Sequence, residues 1–329
     1  HQELRKSLEK RVEFRTSHSD SEVVLNALVE WGSKAFNKFN GMFALALWDR
    51  VERKLLLARD RCGIKPLYIG WQGNNFAFGS EQKAILAIPG FQRQINKETL
   101  LEYFTFQNIF THQTLLNDIR ILQPGYYAVL NLNHPNPQLH YTKYWDYNFS
   151  NPNKRIHPKE YHKELDRLFT QAVNRQLVTD VELGSYLSGG MDSGSISAIA
   201  SKSFPYLKTF TCGFDLSSAS GMELAFDERA KAEAMSYHFQ TEHYEMVLKA
   251  GDMERVLPKL TWHLEEPRVG QSYPNYYAAK LASKFVKVVL SGSGGDELFG
   301  GYPWRYYRAA VNDDFRDYIN KYYKYWQRL

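Results

Sequence analysis

The feature that most constrains this chain is a short run, Leu187-Ser188-Gly189-Gly190-Met191-Asp192-Ser193, standing between a buried apolar run at 183–187 and a helical pattern at 193–202. A glycine-rich turn from a strand into a helix lets backbone N–H groups approach a ligand closely, and the helix adds its positive N-terminal end, so the chemistry it suits is phosphate binding. The run has no Gly-Lys-Ser/Thr and no Gly-x-Gly-x-x-Gly, which excludes a Walker A loop and a dinucleotide fingerprint. Around it the apolar periodicity alternates: helix near 165–173, strand 183–187, helix 193–202, strand 209–212, helix near 227–237, strand near 243–247, two helical stretches, and strand 286–290. That alternation predicts a doubly wound α/β domain on a parallel sheet, whose ligands sit at the carboxyl ends of the strands.

A second loop, Ser291-Gly292-Ser293-Gly294-Gly295-Asp296-Glu297, follows the last of these strands and leads to Leu298-Phe299-Gly300-Gly301-Tyr302. If the two strands are near neighbours, both loops face one crevice and bring Asp192 and Asp296 to the same phosphates. Carboxylates beside phosphates repel unless a cation lies between them, and Mg2+, usually held by one or two carboxylates plus phosphate oxygens, is the economical solution. The other reading of Asp296 is a helix-capping acid.

The first half reads differently. Ser19-Asp20-Ser21-Glu22 has the capping-box pattern before Val23, Val24, Leu25, Ala27, Leu28 and Trp31, with Gly32 as a stop, which predicts a helix. Short β-like runs follow at 42–48, 55–59, 67–71 and 76–78, then 126–132 and 139–144, separated by turn residues, and predict antiparallel hairpins in an α+β domain. Residues 150–158, with two prolines and no apolar period, mark a linker. The expected division is 1–149, the linker 150–158, and 159–329. The aromatic, basic stretch 304–329 reads as an amphipathic helix.

Composition narrows the function. Lys and Arg number 41 against 36 Asp and Glu, a formal net charge of +5 that is too small and dispersed to imply nucleic acid. The two cysteines, Cys62 and Cys212, form neither a disulfide framework nor a zinc pattern. No apolar run reaches the length of a membrane helix, and the first residues are charged rather than signal-like, so the expectation is a soluble cytoplasmic protein without a membrane partner. His238 and His243 lack the helical spacing of a metal pair, and Glu265-Glu266-Pro267-Arg268 is either an acceptor-binding turn or a solvated one.

Residues 188–193 resemble the SGGxDS pyrophosphate loop of the N-type ATP pyrophosphatases, and together with 291–302 the chain resembles the glutamine-hydrolysing asparagine synthetases. The first half agrees through Phe39-Asn40-Gly41-Met42-Phe43-Ala44, Arg59-Asp60-Arg61, Gly63-Ile64-Lys65-Pro66-Leu67-Tyr68 and Phe78-Gly79-Ser80-Glu81-Gln82-Lys83-Ala84, which are similar to that family's glutaminase domain. The resemblance implies an Ntn-type α+β glutaminase domain followed by an α/β ATP-pyrophosphatase domain, both incomplete. It implies ATP and Mg2+ as cofactors, glutamine, aspartate and ATP as substrates, and a homodimer as one assembly. The implied reaction adenylates aspartate with release of pyrophosphate, after which ammonia from glutamine displaces AMP.

By the same resemblance Tyr186, Leu187, Ser188, Gly189, Gly190, Ser193, Cys212, Ser291 and Gly292 lie at nucleotide-contacting positions. Asp192 and Asp296 correspond to the catalytic acids that hold magnesium pyrophosphate. Asp227 matches a further acid near the nucleotide and is equally a helix-start carboxylate. Asp20 matches the acid that holds the glutamine amino group, with helix capping as its alternative. The family's N-terminal nucleophilic Cys finds no counterpart at His1, Ser293 stands where an acid is common, and a lysine-bearing segment is expected beyond Leu329, so the chain reads as an internal piece of a longer synthetase. The alternatives are a related amidotransferase acting on another carboxylate and a nucleotide-binding regulatory relative.

Overall fold

The computed structural model describes residues 1–148, 156–217, 227–267, 272–301 and 320, and the chain divides into two compact units, 1–104 with 108–150 and 105–107 with 151–329.

The first unit opens with α1 (Gln2–Leu8) and α2 (Asp20–Trp31), the second capped by Ser19, whose side chain accepts from the Glu22 N–H at 3.3 Å. The reciprocal half of the capping box is not made. The Glu22 carboxylate accepts instead from the backbone N–H groups of Arg15 and Thr16, at 2.7 and 2.9 Å, pinning the segment before the helix. The helix stops at Gly32 as expected, and the chain then tightens into a 3-10 turn (Gly32–Lys38) that buries Phe36 completely.

Two hairpins follow: β1 (Ala44–Asp49) with β2 (Lys54–Arg59), and β3 (Tyr68–Gln72) with β4 (Asn75–Gly79), both antiparallel. Next come α3 (Gln82–Leu86), α4 (Lys97–Phe106), β5 (Ile119–Ile121), β6 (Tyr126–Asn131) and β7 (Leu139–Lys143). The hairpins belong to separate sheets, ordered β1-β2-β6-β7 and β4-β3-β5. Residues 42 and 43, expected to begin the first strand, precede it. The sequence pattern also passed over α1, α3, α4 and β5, which are short, between three and ten residues.

Arg59 and Asp60, both buried, join these pieces. The Asp60 carboxylate accepts from the backbone N–H groups of Phe43, Cys62, Ile64 and Lys65 at 2.9 to 3.2 Å. Arg59 donates to the carbonyls of Lys65, Leu122 and Gly63 at 2.8, 2.7 and 2.5 Å. The Tyr144 hydroxyl donates to the Arg59 carbonyl at 2.7 Å, and burial followed by the Asp60 charge pushes its pKa up to about 12.

The second unit contains α5 (Pro158–Gln176), β8 (Leu183–Tyr186), α6 (Met191–Ser203), β9 (Lys208–Phe214), α7 (Arg229–Phe239), β10 (Glu242–Leu248), α8 (Asp252–Leu264), α9 (Ser272–Ala282), β11 (Val288–Leu290) and α10 (Gly295–Phe299). Its sheet is parallel throughout, in the order β10-β9-β8-β11. One face is covered by α5 and α6 through Val173, Leu177, Leu183, Ala200, Leu207 and Leu290; the other by α9 through Phe210, Ala282 and Val286. Helices on both faces make this the doubly wound architecture that the alternation predicts.

Two boundaries shift. Pro158, placed in the linker by its composition, is the first residue of α5, because a proline at N1 needs no N–H and His157 caps the turn by accepting from Lys159 N–H at 3.2 Å. Val286, placed at the start of the last strand, closes the helical turns after α9 by donating to the Ala282 carbonyl at 3.0 Å. The expected helix at 304–329 lies outside the described residues except Asn320, as does most of the linker.

Two predictions come from this fold. Asp60→Asn turns one acceptor oxygen into a donor facing backbone donors, and the expected cost is about 3 kcal/mol, or a Tm lower by roughly 6–12 °C in thermal denaturation. The second concerns His243, whose Nδ1 lies 2.9 Å from the Thr209 hydroxyl, while its buried Nε2 stands 3.6 Å from the Glu245 carboxylate, outside hydrogen-bond distance. Burial lowers the pKa of His243 below 6.5, with Glu245 and Glu233 opposing. As pH falls below 6.5 the unfolded chain takes up a proton that the folded chain resists, so stability declines, by at most about 1.4 kcal/mol per pH unit for one proton. His243→Asn, which keeps a partner for Thr209, is expected to flatten this acid limb in Tm measured against pH.

Candidate functional site

In the second unit the strand order places a reversal at one point. From β8 the chain crosses through α6 to β9 and then to β10 on one side, and returns to β11 on the other. The loops leaving the carboxyl ends of β8 and β11 therefore diverge, and the crevice between them is where open α/β sheets bind ligands. Those loops are 187–190 and 291–294.

The first loop is held by its own serines. Leu187 extends the sheet, its N–H donating to the Phe210 carbonyl at 2.9 Å, and its side chain is fully buried. The buried Ser193 hydroxyl accepts from the Ser188 N–H at 3.0 Å, lies 3.0 Å from the Ser188 hydroxyl, and donates to the Gly190 carbonyl at 3.3 Å. Ser188 Oγ in turn accepts from the Gly190 N–H at 3.3 Å. The second loop is similarly braced, with the Ser291 and Ser293 hydroxyls 3.0 Å apart and the Ser293 N–H donating to Ser291 Oγ at 3.3 Å.

The two loops meet at Asp192. A Cβ on Gly292 would lie 3.0 Å from Asp192 Cβ and 3.0 Å from Ser193 N, and a Cβ on Gly295 would fall on the Asp192 carboxylate itself. Only glycine permits this approach. Burial raises the Asp192 pKa above the ordinary carboxylate value, the charges of Asp296 and then Glu297 add to the effect, and the Asp296 backbone N–H offsets it in part. Asp296 is partly buried in the first turn of α10, its carbonyl accepting from the Gly301 N–H at 2.9 Å.

This arrangement fits a divalent cation bound with phosphate. Among the described residues no group of three or more His, Cys, Asp or Glu side chains forms a cage by itself. Two neighbouring carboxylates, one of them with its pKa raised by burial and like charge, instead match the donor set of Mg2+, which takes one or two carboxylates and fills its shell with water and phosphate oxygens.

The remaining residues fall around this centre or away from it. Tyr186 ends β8, half-buried, and burial raises its pKa. Cys212 lies in β9; burial, then the Asp252 charge, pushes its thiol up to about 12, so at neutral pH it is a packing group and not a thiolate. Asp227 is bound by Arg229, whose Nη2 is 2.6 Å and Nε 3.0 and 3.1 Å from its oxygens, and this pairing holds the carboxyl below the ordinary range. Arg229 also donates to the Phe214 carbonyl at 2.8 Å. Asp20 belongs to the first unit and is exposed at the start of α2, its Oδ1 accepting from the Ser21 N–H at 2.6 Å. Glu265 closes α8 in a left-handed conformation; Arg268 and Tyr302 lie outside the described residues.

Sequence reasoning missed Glu228, which stands at the N-cap position of α7 and whose pKa is raised by burial, with Lys231 and then Ser188 opposing. Its signal was its place beside Asp227. Also missed was a cavity of about 380 Å³ within the first unit, walled by Tyr126, Trp145, Tyr147 and Phe110 with Arg61 and Lys143. Its lining comes from four separate stretches, and no local pattern gathers them.

Comparison with known proteins places these units. Residues 164–329 match the Asparagine synthase family model, and residues 1–145 match that of the Glutamine amidotransferase domain. The chain belongs to the asparagine synthase family, with a glutamine-amidotransferase-type domain ahead of an ATP-pyrophosphatase-like one. It is 35% identical, over 97% of its length and 49% of the relative's, to a Mycobacterium bovis protein provisionally named a glutamine-hydrolyzing asparagine synthetase. It is 34% identical to the glutamine-hydrolyzing asparagine synthetase 1 of Bacillus subtilis, over 91% of this chain and 46% of that protein. The glutamine-hydrolyzing asparagine synthetase 3 of the same bacterium is 32% identical over 95% of this chain and 52% of its own. The chain thus spans about half the length of the curated relatives it matches. No helix among the described residues is long and apolar enough to cross a membrane.

The close approach at Asp192 is testable. Gly295→Ala is expected to cost about 1–3 kcal/mol through displacement of the carboxylate, read as a lower Tm. Gly41→Ala, where nothing lies within 4 Å of the added methyl, is expected to stay within about 0.5 kcal/mol of the parent.

Proposed function

We propose that the protein acts as a glutamine-hydrolysing asparagine synthetase. In this reaction the side-chain carboxylate of aspartate attacks the α-phosphorus of ATP, forming an aspartyl-AMP mixed anhydride and releasing pyrophosphate; ammonia from glutamine then displaces AMP to give asparagine. The observation that carries the reading is the Asp192 carboxylate pressed under Gly292 and Gly295 beside Asp296, at the reversal of strand order. The named relatives favour aspartate over another carboxylate as acceptor.

In this reading the backbone around Ser188, Gly189 and Gly190 and the hydroxyls of Ser188 and Ser193 cradle the β and γ phosphates as a leaving group. Tyr186, Leu187, Cys212, Ser291 and Gly292 border the nucleotide. Asp192 and Asp296 hold Mg2+, which when bound neutralises the phosphate charge. Arg229 keeps Asp227 oriented at the entrance of α7. The domain at 1–149 takes the Ntn glutaminase form, and Asp20 receives the amino group of glutamine. Residues 150–157 join it to the synthetase domain at 158–329, a reducing cytoplasm is the working compartment, and a homodimer is the assembly.

The spent nucleotide tests this reading. Chromatography of reactions with aspartate, ATP and ammonia is expected to show AMP and pyrophosphate, and stoichiometric ADP would exclude it. Asp296→Asn should lower kcat by about 100-fold or more, equivalent to roughly 2.7 kcal/mol, because it removes charge from the metal site. Ser293→Ala removes one hydroxyl and is expected to lower kcat by about tenfold or less.

A further inference from the structure

Two arginines flank Asp60 in the sequence, and the fold treats them differently. Arg59 donates to three carbonyls. Arg61 carries five N–H donors like any guanidinium, yet it makes one hydrogen bond, from Nη2 to the Asn37 carbonyl at 2.8 Å. Its Nε is buried without a hydrogen-bond partner, and no carboxylate among the described residues pairs with it. A half-buried cation so sparsely answered is suited to an anion from outside the unit.

Arg61 belongs to the wall of the cavity of about 380 Å³ in the first unit, a volume in the range of small-molecule sites. The guanidinium stands 5.9 Å from the Trp145 ring centroid, and Trp145 meets Tyr147 in a T-shaped contact with centroids 4.7 Å apart. Lys143, the other cation of the wall, is already engaged: its ammonium is 2.7 Å from the Asp146 carboxylate and 5.7 Å from the Tyr126 ring centroid. That pair cancels, which leaves Arg61 as the unanswered charge of the lining. His112 adds a donor at Nε2, because the Gln123 amide nitrogen 2.9 Å from its Nδ1 can only donate. Asp20, the residue proposed to receive glutamine, does not line the cavity.

The lining discriminates among ligands. A cation is repelled by Arg61 and finds Trp145 and Tyr126 each already facing a cation of the protein. A neutral aromatic molecule leaves the guanidinium unanswered. A dianion needs a second free cation, and Lys143 is held by Asp146. We propose that this cavity is a binding site for a small planar aromatic monocarboxylate, its ring against the aromatic walls and its carboxylate on Arg61, a planar match of acid and guanidinium. All the lining residues belong to the first unit, so the site does not depend on the adenylation proposed for the second. Binding makes and breaks no covalent bond.

The test is calorimetric titration of the whole chain with cinnamate and benzoate, with Tm read for every variant. At least one of the two acids is expected to bind saturably with Kd below about 1 mM, and cinnamamide, the same shape without the charge, about tenfold more weakly than cinnamate. Benzylamine should not compete. Trp145→Leu and Arg61→Lys should each weaken the acid by about tenfold. Asp146→Asn, which frees Lys143, should tighten it by about threefold and admit phenyl phosphate. Saturating Mg-ATP is expected to leave the affinity within about twofold of its value without nucleotide. Where Arg61→Lys lowers Tm, the comparison of acid with amide and the Asp146→Asn variant carry the test. The site is overturned if neither acid binds below about 1 mM, if cinnamamide binds as tightly as cinnamate, or if Trp145→Leu leaves the affinity unchanged. Displacement of the acid by ATP assigns it to the nucleotide crevice and overturns the site as well.

Discussion

The asparagine-synthase-type unit is organised by an acid in an unfavourable place. Asp192 sits in the first turn of α6, against backbone that only glycine can supply, with two further acids nearby. Holding such a group requires β8 and β11 to be neighbours, which sets the strand order, and requires loops free of side chains at 292 and 295. It also requires α6 to begin where it does, with Ser193 turned back to fasten the loop. Each of these is a fold-level commitment made around one carboxylate.

Asp60 shows what a structural carboxylate looks like in the same protein. It is more buried than Asp192, yet four backbone N–H groups converge on it, and its neighbour Arg59 spends its donors on three carbonyls. A charge so fully answered by fixed dipoles is at rest and holds loops together. Asp192 has burial and like charges against it, offset in part by one N–H, and in the proposed function a cation would complete it. Counting what answers a buried charge thus separates the two roles where sequence cannot, since both aspartates lie in equally distinctive motifs.

That difference explains what was legible in the sequence. The β8 loop could be read because strand, glycines, acid and helix occur within eight residues, and the second loop because it repeats the pattern. The parallel sheet followed from alternation alone. The first unit was read only as hairpins, because assigning β1-β2 and β3-β4 to different sheets depends on β5 and β6, which lie over forty residues later in the chain. Glu228 was passed over because an acid beside an Asp looks like any helix start, and the burial that raises its pKa is set by tertiary neighbours. The pairing of Asp227 with Arg229 was hidden for a related reason: an acid and a base two residues apart do not face each other within a helix, and they meet here because Asp227 lies before α7 begins.

The charge balance of the crevice bears on Ser293. The family resemblance expects an acid there, and an acid would add another negative charge next to Asp192, Asp296 and Glu297. Serine braces the loop through Ser291 without adding to that repulsion. The site in this chain is less negative than one with an acid at 293, and in the proposed reaction polyphosphate entry would depend correspondingly less on the metal alone. What the serine gives up is a carboxylate able to orient or deprotonate an incoming amine. In the proposed reaction ammonia from glutamine would need little such help, because its neutral form is already the nucleophile. The trade therefore falls on the binding of the nucleotide more than on the chemistry of the amide bond.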